Sequence, residues 1–129
     1  SCIWTTMMVI RGLARDKTYR RRREVLKGAD FFLDRFFKAN RHEAYYHSEK
    51  NWTQFKYPPY FGSGLGALYL LTILGYGPGD ERMEKPIRWL LDARHSDGFW
   101  WQSDRPHMQK DQWITGFAVD VLHRYSKNR

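Results

Sequence analysis

Trp4-Thr5-Thr6-Met7-Met8-Val9-Ile10-Arg11-Gly12-Leu13, near the start of the chain, and Trp113-Ile114-Thr115-Gly116-Phe117-Ala118-Val119-Asp120-Val121-Leu122, near its end, carry one helical pattern. Trp, Thr, a β-branched aliphatic residue and Leu fall at the same spacing in both, every position of the second copy 109 residues after the first. Flanking residues repeat too: Lys27, Phe31 and Phe32 return as Lys85, Trp89 and Leu90, 58 positions later. A period of roughly 50 to 58 residues holding two helical patterns is the mark of a stacked α-helical array. The sequence therefore predicts an all-α fold of antiparallel helical hairpin repeats.

Working outward, the first helix is predicted over about Ile3 to Ala14 and the second from near Tyr19 to about Ala39. Val25, Leu26, Ala29, Phe32, Leu33, Phe36 and Phe37 hold the i, i+3, i+4, i+7 spacing of a buried helix face. Residues 40–61 form a long connection rich in Tyr, His and Pro, in which Pro58-Pro59 forbids helix. A third helix, about Gly62 to Leu74, is apolar on nearly all sides and is predicted to be buried all round. It stops at Gly75, ahead of Gly77-Pro78-Gly79. Asp80 is the predicted N-cap of a fourth helix, about Glu81 to Arg94, with a kink or a short leading turn at Pro86. The last helix, about Asp111 to Ser126, puts Trp113, Ile114, Phe117, Ala118, Val121, Leu122 and Tyr125 on one stripe.

Composition bounds the function. The 129 residues are 42% hydrophobic and 17% aromatic, enough for one domain, residues 1–129, with its own core. Net charge is +8, with four basic residues together at Arg20, Arg21, Arg22 and Arg23. Placed in the first turn of the second helix, those four would spread over about 300° of its circumference at roughly 100° per residue. That spread predicts a solvated face and only weak, salt-sensitive binding to nucleic acid, with no specific nucleic-acid partner. The longest uncharged apolar run, Leu65 to Tyr76, is 12 residues, too short to span a bilayer. Cys2 is the only cysteine, so no intrachain disulfide forms, and the expectation is a reducing, cytoplasmic setting. The chain opens on Ser1 and runs at once into helical pattern, which suggests that it is part of a longer protein.

The segment Trp89-Leu90-x3-Arg94-x3-Gly98-Phe99-Trp100 resembles the QW repeat of squalene-hopene and related terpenoid cyclases. Lys27-Gly28-x2-Phe31-Phe32 resembles the opening of a second copy. The Trp-x-Thr helices resemble the inner helices of the same superfamily, which includes protein prenyltransferase β-subunits. Trp52-Thr53-Gln54-Phe55-Lys56-Tyr57-Pro58-Pro59-Tyr60 is similar to a loop of prenyltransferase-repeat proteins. The resemblance implies an (α/α) toroid with inner helices ringing a cavity, here a partial one of about two and a half helix pairs. It departs from the family in several places. The Gln of the repeat is Arg94 in one copy and Phe36 in the other, the D-x-D-D acid motif is absent, and no Asp-x-Cys with a distant His supplies zinc ligands.

The resulting expectation is a domain that binds an apolar or sugar-like ligand on its concave face, at the N-terminal ends of the inner helices, through Tyr57, Tyr60, Trp101 and His107. Trp100 and Trp113 are expected to pack as repeat-defining residues. Asp97 and Asp111 are expected to serve a turn and a helix cap, and no metal site or cofactor is predicted. The cluster His42, Glu43, Tyr45, Tyr46 and His47 is expected to be a solvated loop. The alternative is a partial catalytic domain for terpenoid cyclisation or prenyl transfer, or a toroid of the polysaccharide lyase and hydrolase type. Two and a half repeats leave apolar faces at both ends, which predicts self-association or further repeats to cover them.

Overall fold

The computed structural model describes residues 2–43, 45–56, 62–103 and 110–129. They fold as α1 (Ile3–Leu13), α2 (Arg23–Arg35), a single turn α3 (Glu49–Trp52), α4 (Gly64–Ile73), α5 (Glu84–Asp92) and α6 (Gln112–Lys127). A 3-10 turn, Glu81–Met83, leads into α5. Among the described residues β structure is confined to two isolated bridges, Asn40 with His47 and Trp101 with Lys110. The all-α expectation holds.

α1 buries Ile3, Met7 and Ile10, spaced i, i+4 and i+7, against α2, which returns Val25, Ala29, Phe32 and Leu33. The two helices approach closely at Gly28, where a Cβ would run into Ile10 Cδ1. α2 is shorter than its periodicity predicts. It begins at Arg23, with Arg22 at the N-cap and Glu24 as the acidic residue of the first turn. Residues 14–22 form a connection pinned at both ends. Asp16 accepts hydrogen bonds from the Thr18 amide and hydroxyl, and Arg20 Nε donates to the Ala14 carbonyl at 2.6 Å. The arginine run is thus mostly outside helix, so the argument that it spreads around a helix does not apply.

The other end of α2 stops at Arg35 and not near Ala39. Phe36 turns extended and Phe37 takes φ 65°, a left-handed conformation that costs a side-chain-bearing residue on the order of 1 kcal/mol or more. The turn sends the two rings to different partners. Phe36 lies 4.9 Å from Trp52 and Phe37 5.6 Å, edge-on, from Trp89. Trp89 in turn stacks on Phe55 at 5.2 Å. The 40–61 connection is likewise more ordered than expected over its described part. Asn40 and His47 exchange backbone hydrogen bonds, α3 follows with Asn51 Oδ1 accepting from the Ser48 amide, and Trp52 Nε1 donates to the Lys38 carbonyl.

α4 is the hub, packing chiefly on α6 and also touching α1, α3 and α5. Its all-round apolar sequence matches its burial: Leu65, Ala67, Leu68, Leu70, Leu71 and Thr72 are all buried. Ser63 caps it by accepting from Gly66 N, and Gly75 at φ 101° ends it where the sequence placed the stop. Asn128, past the end of α6, donates its amide to the Thr72 and Tyr76 carbonyls and so closes the C-terminal end of α4. The leading turn expected at Pro86 is the 3-10 turn, with Asp80 accepting from Arg82 N. Arg82 also pairs with Asp30 at 3.1 Å, tying that turn to α2. No helix among the described residues is long and apolar enough to cross a membrane.

Candidate functional site

Asp111 accepts from the amides of Trp113 and Ile114, which fixes where α6 starts and which residues face α4. Ile114, Ala118 and Val121 go into the core. The adjoining face carries Gln112, Trp113, Gly116, Phe117 and Asp120, and together with Tyr69 of α4 these line an open groove of about 370 Å³. Phe117 and Tyr69 meet with ring centroids 5.0 Å apart at 47°. Gly116 lies between the aromatic residues, and a Cβ built there meets no atom of the described residues within 4 Å.

One wall of the groove is charged but internally balanced. Arg124 reaches Asp120 at 2.5 Å, donates from Nε to Thr72 Oγ1 at 3.2 Å, and lies over the Tyr69 ring at 4.6 Å. Its Nη2 is buried with no hydrogen-bond partner among the described residues. The guanidinium holds Tyr69 and Asp120 in place and occupies one face of the tyrosine ring. What remains open is an aromatic surface with an amide, Gln112, and a carboxylate, Asp120, at its edge. Such a surface can stack a flat apolar face and hydrogen-bond to polar substituents around it.

The sequence candidates fall elsewhere. Tyr57, Tyr60 and His107 lie outside the described residues, as do Pro58, Pro59, Asp104 and Pro106. The described ends of those two loops meet, Phe55 N donating to Ser103 Oγ at 2.6 Å and Ser103 N to the Phe55 carbonyl at 2.9 Å. Trp101 is part-buried in the turn after α5. It stacks on His95 at 4.3 Å and donates Nε1 to Asp97 Oδ2 at 3.0 Å, and it is not among the groove-lining residues. The Phe99 amide, with Trp101 adding to it, lowers the Asp97 carboxyl below its ordinary pKa. Asp97 and Asp111 thus do serve a turn and a cap.

Trp100 packs as expected, 2% exposed with Nε1 donating to the Leu90 carbonyl. Trp113 does not. It is 58% exposed, and its counterpart Trp4 is 41% exposed, so the Trp of the repeated pattern points outward at both ends. In the second copy the Thr does the tying: Thr115 Oγ1 accepts from Trp100 N at 3.0 Å. The sequence pattern does not mark Tyr69, Gln112 or Phe117 as site residues, and it reads Trp113 as a packing residue. The available signal was Gly116, set between aromatic residues one helical turn apart.

The 42–47 loop is only partly solvated. His42, Glu43 and Tyr46 are exposed, but His47 is fully buried, edge-on to Trp52 at 4.7 Å, with Nε2 donating to the Gly62 carbonyl and Nδ1 without a hydrogen-bond partner among the described residues. Burial pushes its pKa down, against the opposing pull of that hydrogen bond. Among the described residues no three His, Cys, Asp or Glu side chains are grouped to hold a metal ion. Compared with protein-family models, with curated proteins and with solved structures, the chain matches none of them.

Proposed function

We propose that the chain is a helical-hairpin repeat domain of the (α/α)-toroid kind that binds an apolar or sugar-like ligand in the groove between α4 and α6. The observation that carries this is the open, aromatic-lined groove of about 370 Å³ on Tyr69, Trp113 and Phe117, edged by Gln112 and Asp120. Its volume falls within the range of small-molecule sites, roughly 300 to 1,000 Å³. The contacts of α4 with both α1 and α6, with α2 on α1 and α5 on α4, are those that successive hairpins stacked side by side would make. The groove opens along the N-terminal half of α6, the end at which the resemblance to terpenoid cyclases and prenyltransferases puts the concave face. A permanent cation is a poor fit, because Arg124 already lies over Tyr69 and pairs with Asp120.

Gly116 provides the test. A side chain there enters open space, so Gly116→Leu fills the groove without disturbing the core, and the change favours helix by about 0.5 to 1 kcal/mol. Calorimetric titration with a short isoprenoid alcohol and with a panel of disaccharides is expected to show binding by one class to the unaltered chain. Gly116→Leu abolishes it while the melting temperature holds or rises. Binding unaffected by Gly116→Leu, or no binding by either class, removes the groove as the site.

A further inference from the structure

Seven of the thirteen residues from Arg11 to Arg23 are basic, against a single acid, Asp16, whose carboxylate is engaged by Thr18. Arg11, Arg15, Lys17, Arg21, Arg22 and Arg23 are exposed. Arg20 Nε, bound to the Ala14 carbonyl, draws the connection back against the end of α1. α1 is itself unusual on its outward side. Trp4 and Met8 are each 41% exposed and Val9 is 54% exposed. At roughly 100° per residue, Trp4, Met8 and Arg11 fall within about 60° of one another around the helix. Large apolar side chains and the start of the basic cluster therefore share one exposed face, and Tyr19 and Leu26 add apolar surface beside the arginines, at 38% and 37% exposure.

We propose that the outer face of α1 and the α1–α2 connection form a peripheral docking surface for an anionic lipid bilayer. Trp4 and Met8 enter the headgroup boundary, with Val9 about 100° round the helix from Met8 at the margin of the contact, while the arginines lie on lipid phosphates and carboxylates. Charge complementarity chooses a polyanionic partner, since clusters of four to eight basic residues beside an apolar helix face suit anionic leaflets. The apolar half chooses the bilayer over nucleic acid, because Met8 and Val9 gain nothing from a phosphate backbone but gain transfer free energy from an acyl boundary. A packed protein helix is a poorer occupant, as it would cover Arg11 together with the apolar residues. The surface is separate from the α4–α6 groove and does not depend on the groove's ligand.

Cosedimentation of the full chain with vesicles tests this, using phosphatidylcholine alone and phosphatidylcholine containing about 30% phosphatidylserine. The expected result is retention on the serine-containing vesicles at about 0.15 M salt and release at about 0.5 M. Arg21→Gln and Arg23→Gln, both at exposed positions, are expected to lower partitioning by about fivefold each. Val9→Ser lowers it again with helical circular dichroism unchanged, and Trp4→Ser with Met8→Ser does so more strongly. Failure to bind, equal retention on both vesicle types, or indifference to either the charge or the apolar substitutions overturns the proposal. So does displacement from vesicles by duplex DNA at matched phosphate, which would reassign the surface to nucleic acid.

Discussion

His47 shows what a single residue adds to this fold. Its Nε2–H is bound to the Gly62 carbonyl, its Nδ1 has no partner among the described residues, and Trp52 covers it edge-on. The protonated form is disfavoured by burial, so the folded pKa lies below the ordinary value of 6.5. The unfolded chain then takes up its proton at higher pH than the folded chain. The neutral imidazole's contribution is complete above about pH 6.5 and is lost as pH falls from there toward the folded pKa. Thermal melts are expected to be flat above neutrality and to drop below about pH 6.5, and His47→Gln, which keeps an N–H donor, is expected to flatten that limb. An unchanged slope in His47→Gln would assign the acid sensitivity to other groups. Gly62 has no substitute here, being at φ 106° with a would-be Cβ 2.9 Å from the imidazole. Gly62→Ala is expected to cost on the order of 1 to 3 kcal/mol in chemical denaturation. None of this could be read from the sequence, where His47 looks like its neighbours His42 and Tyr46. The residues that bury it arrive from Gly62 and Trp52, and no local pattern announces them.

At the scale of elements, the sequence was informative where a helix is specified by its own residues. The apolar α4, its stop at Gly75, the caps Asp80 and Asp111 and the leading turn before Pro86 are all local chemistry, and all are found. The ends of α2 were misplaced because the deciding forces are not periodic. At its start Arg20 is held back by the Ala14 carbonyl, and at its end Phe36 and Phe37 leave the helix to meet the rings of Trp52 and Trp89. Two caps can be weighed against each other. Asp111→Ala removes the acceptor for two amides and is expected to cost about 1 kcal/mol, with the loss confined to α6 and the groove beside it. Asn128→Ala strips the donor from two carbonyls at the end of α4, at a cost of about 1 to 3 kcal/mol. Because α4 touches four other helices, that loss is expected to lower the global melting temperature, whereas Asp111→Ala leaves more of its effect in amide exchange at the start of α6. Equal exchange profiles for the two variants would contradict the hub role given to α4.

For the whole molecule, periodicity identifies the face of each terminal helix but not whether anything covers it. That is why the Trp of the repeat was expected to pack and is instead exposed. The two ends differ in chemistry. The α1 end joins its apolar residues to the arginine run, and the α6 end exposes Trp113 at 58% and Val119 at 53% without a basic cluster of that density. Complete burial of a large apolar side chain is worth about 1.5 to 3 kcal/mol, so two such residues left half in water give an appreciable drive to associate. The expectation of a second copy or further repeats therefore attaches to α6. Light scattering is expected to give a mass above that of one 15.6 kDa chain, rising with concentration. Val119→Lys puts a charge on that exposed face and leaves the groove-lining residues in place; it is expected to return the mass to that of a monomer, and because Trp113 also lines the groove, ligand is expected to bind the monomer at least as well. If Val119→Lys leaves the mass as it was while Arg21→Gln with Arg23→Gln changes it, the α1 end is the associating one. The bilayer proposal would then have to compete with a protein partner for the same face. A monomer at every concentration, binding no apolar dye, would remove the expectation for both ends.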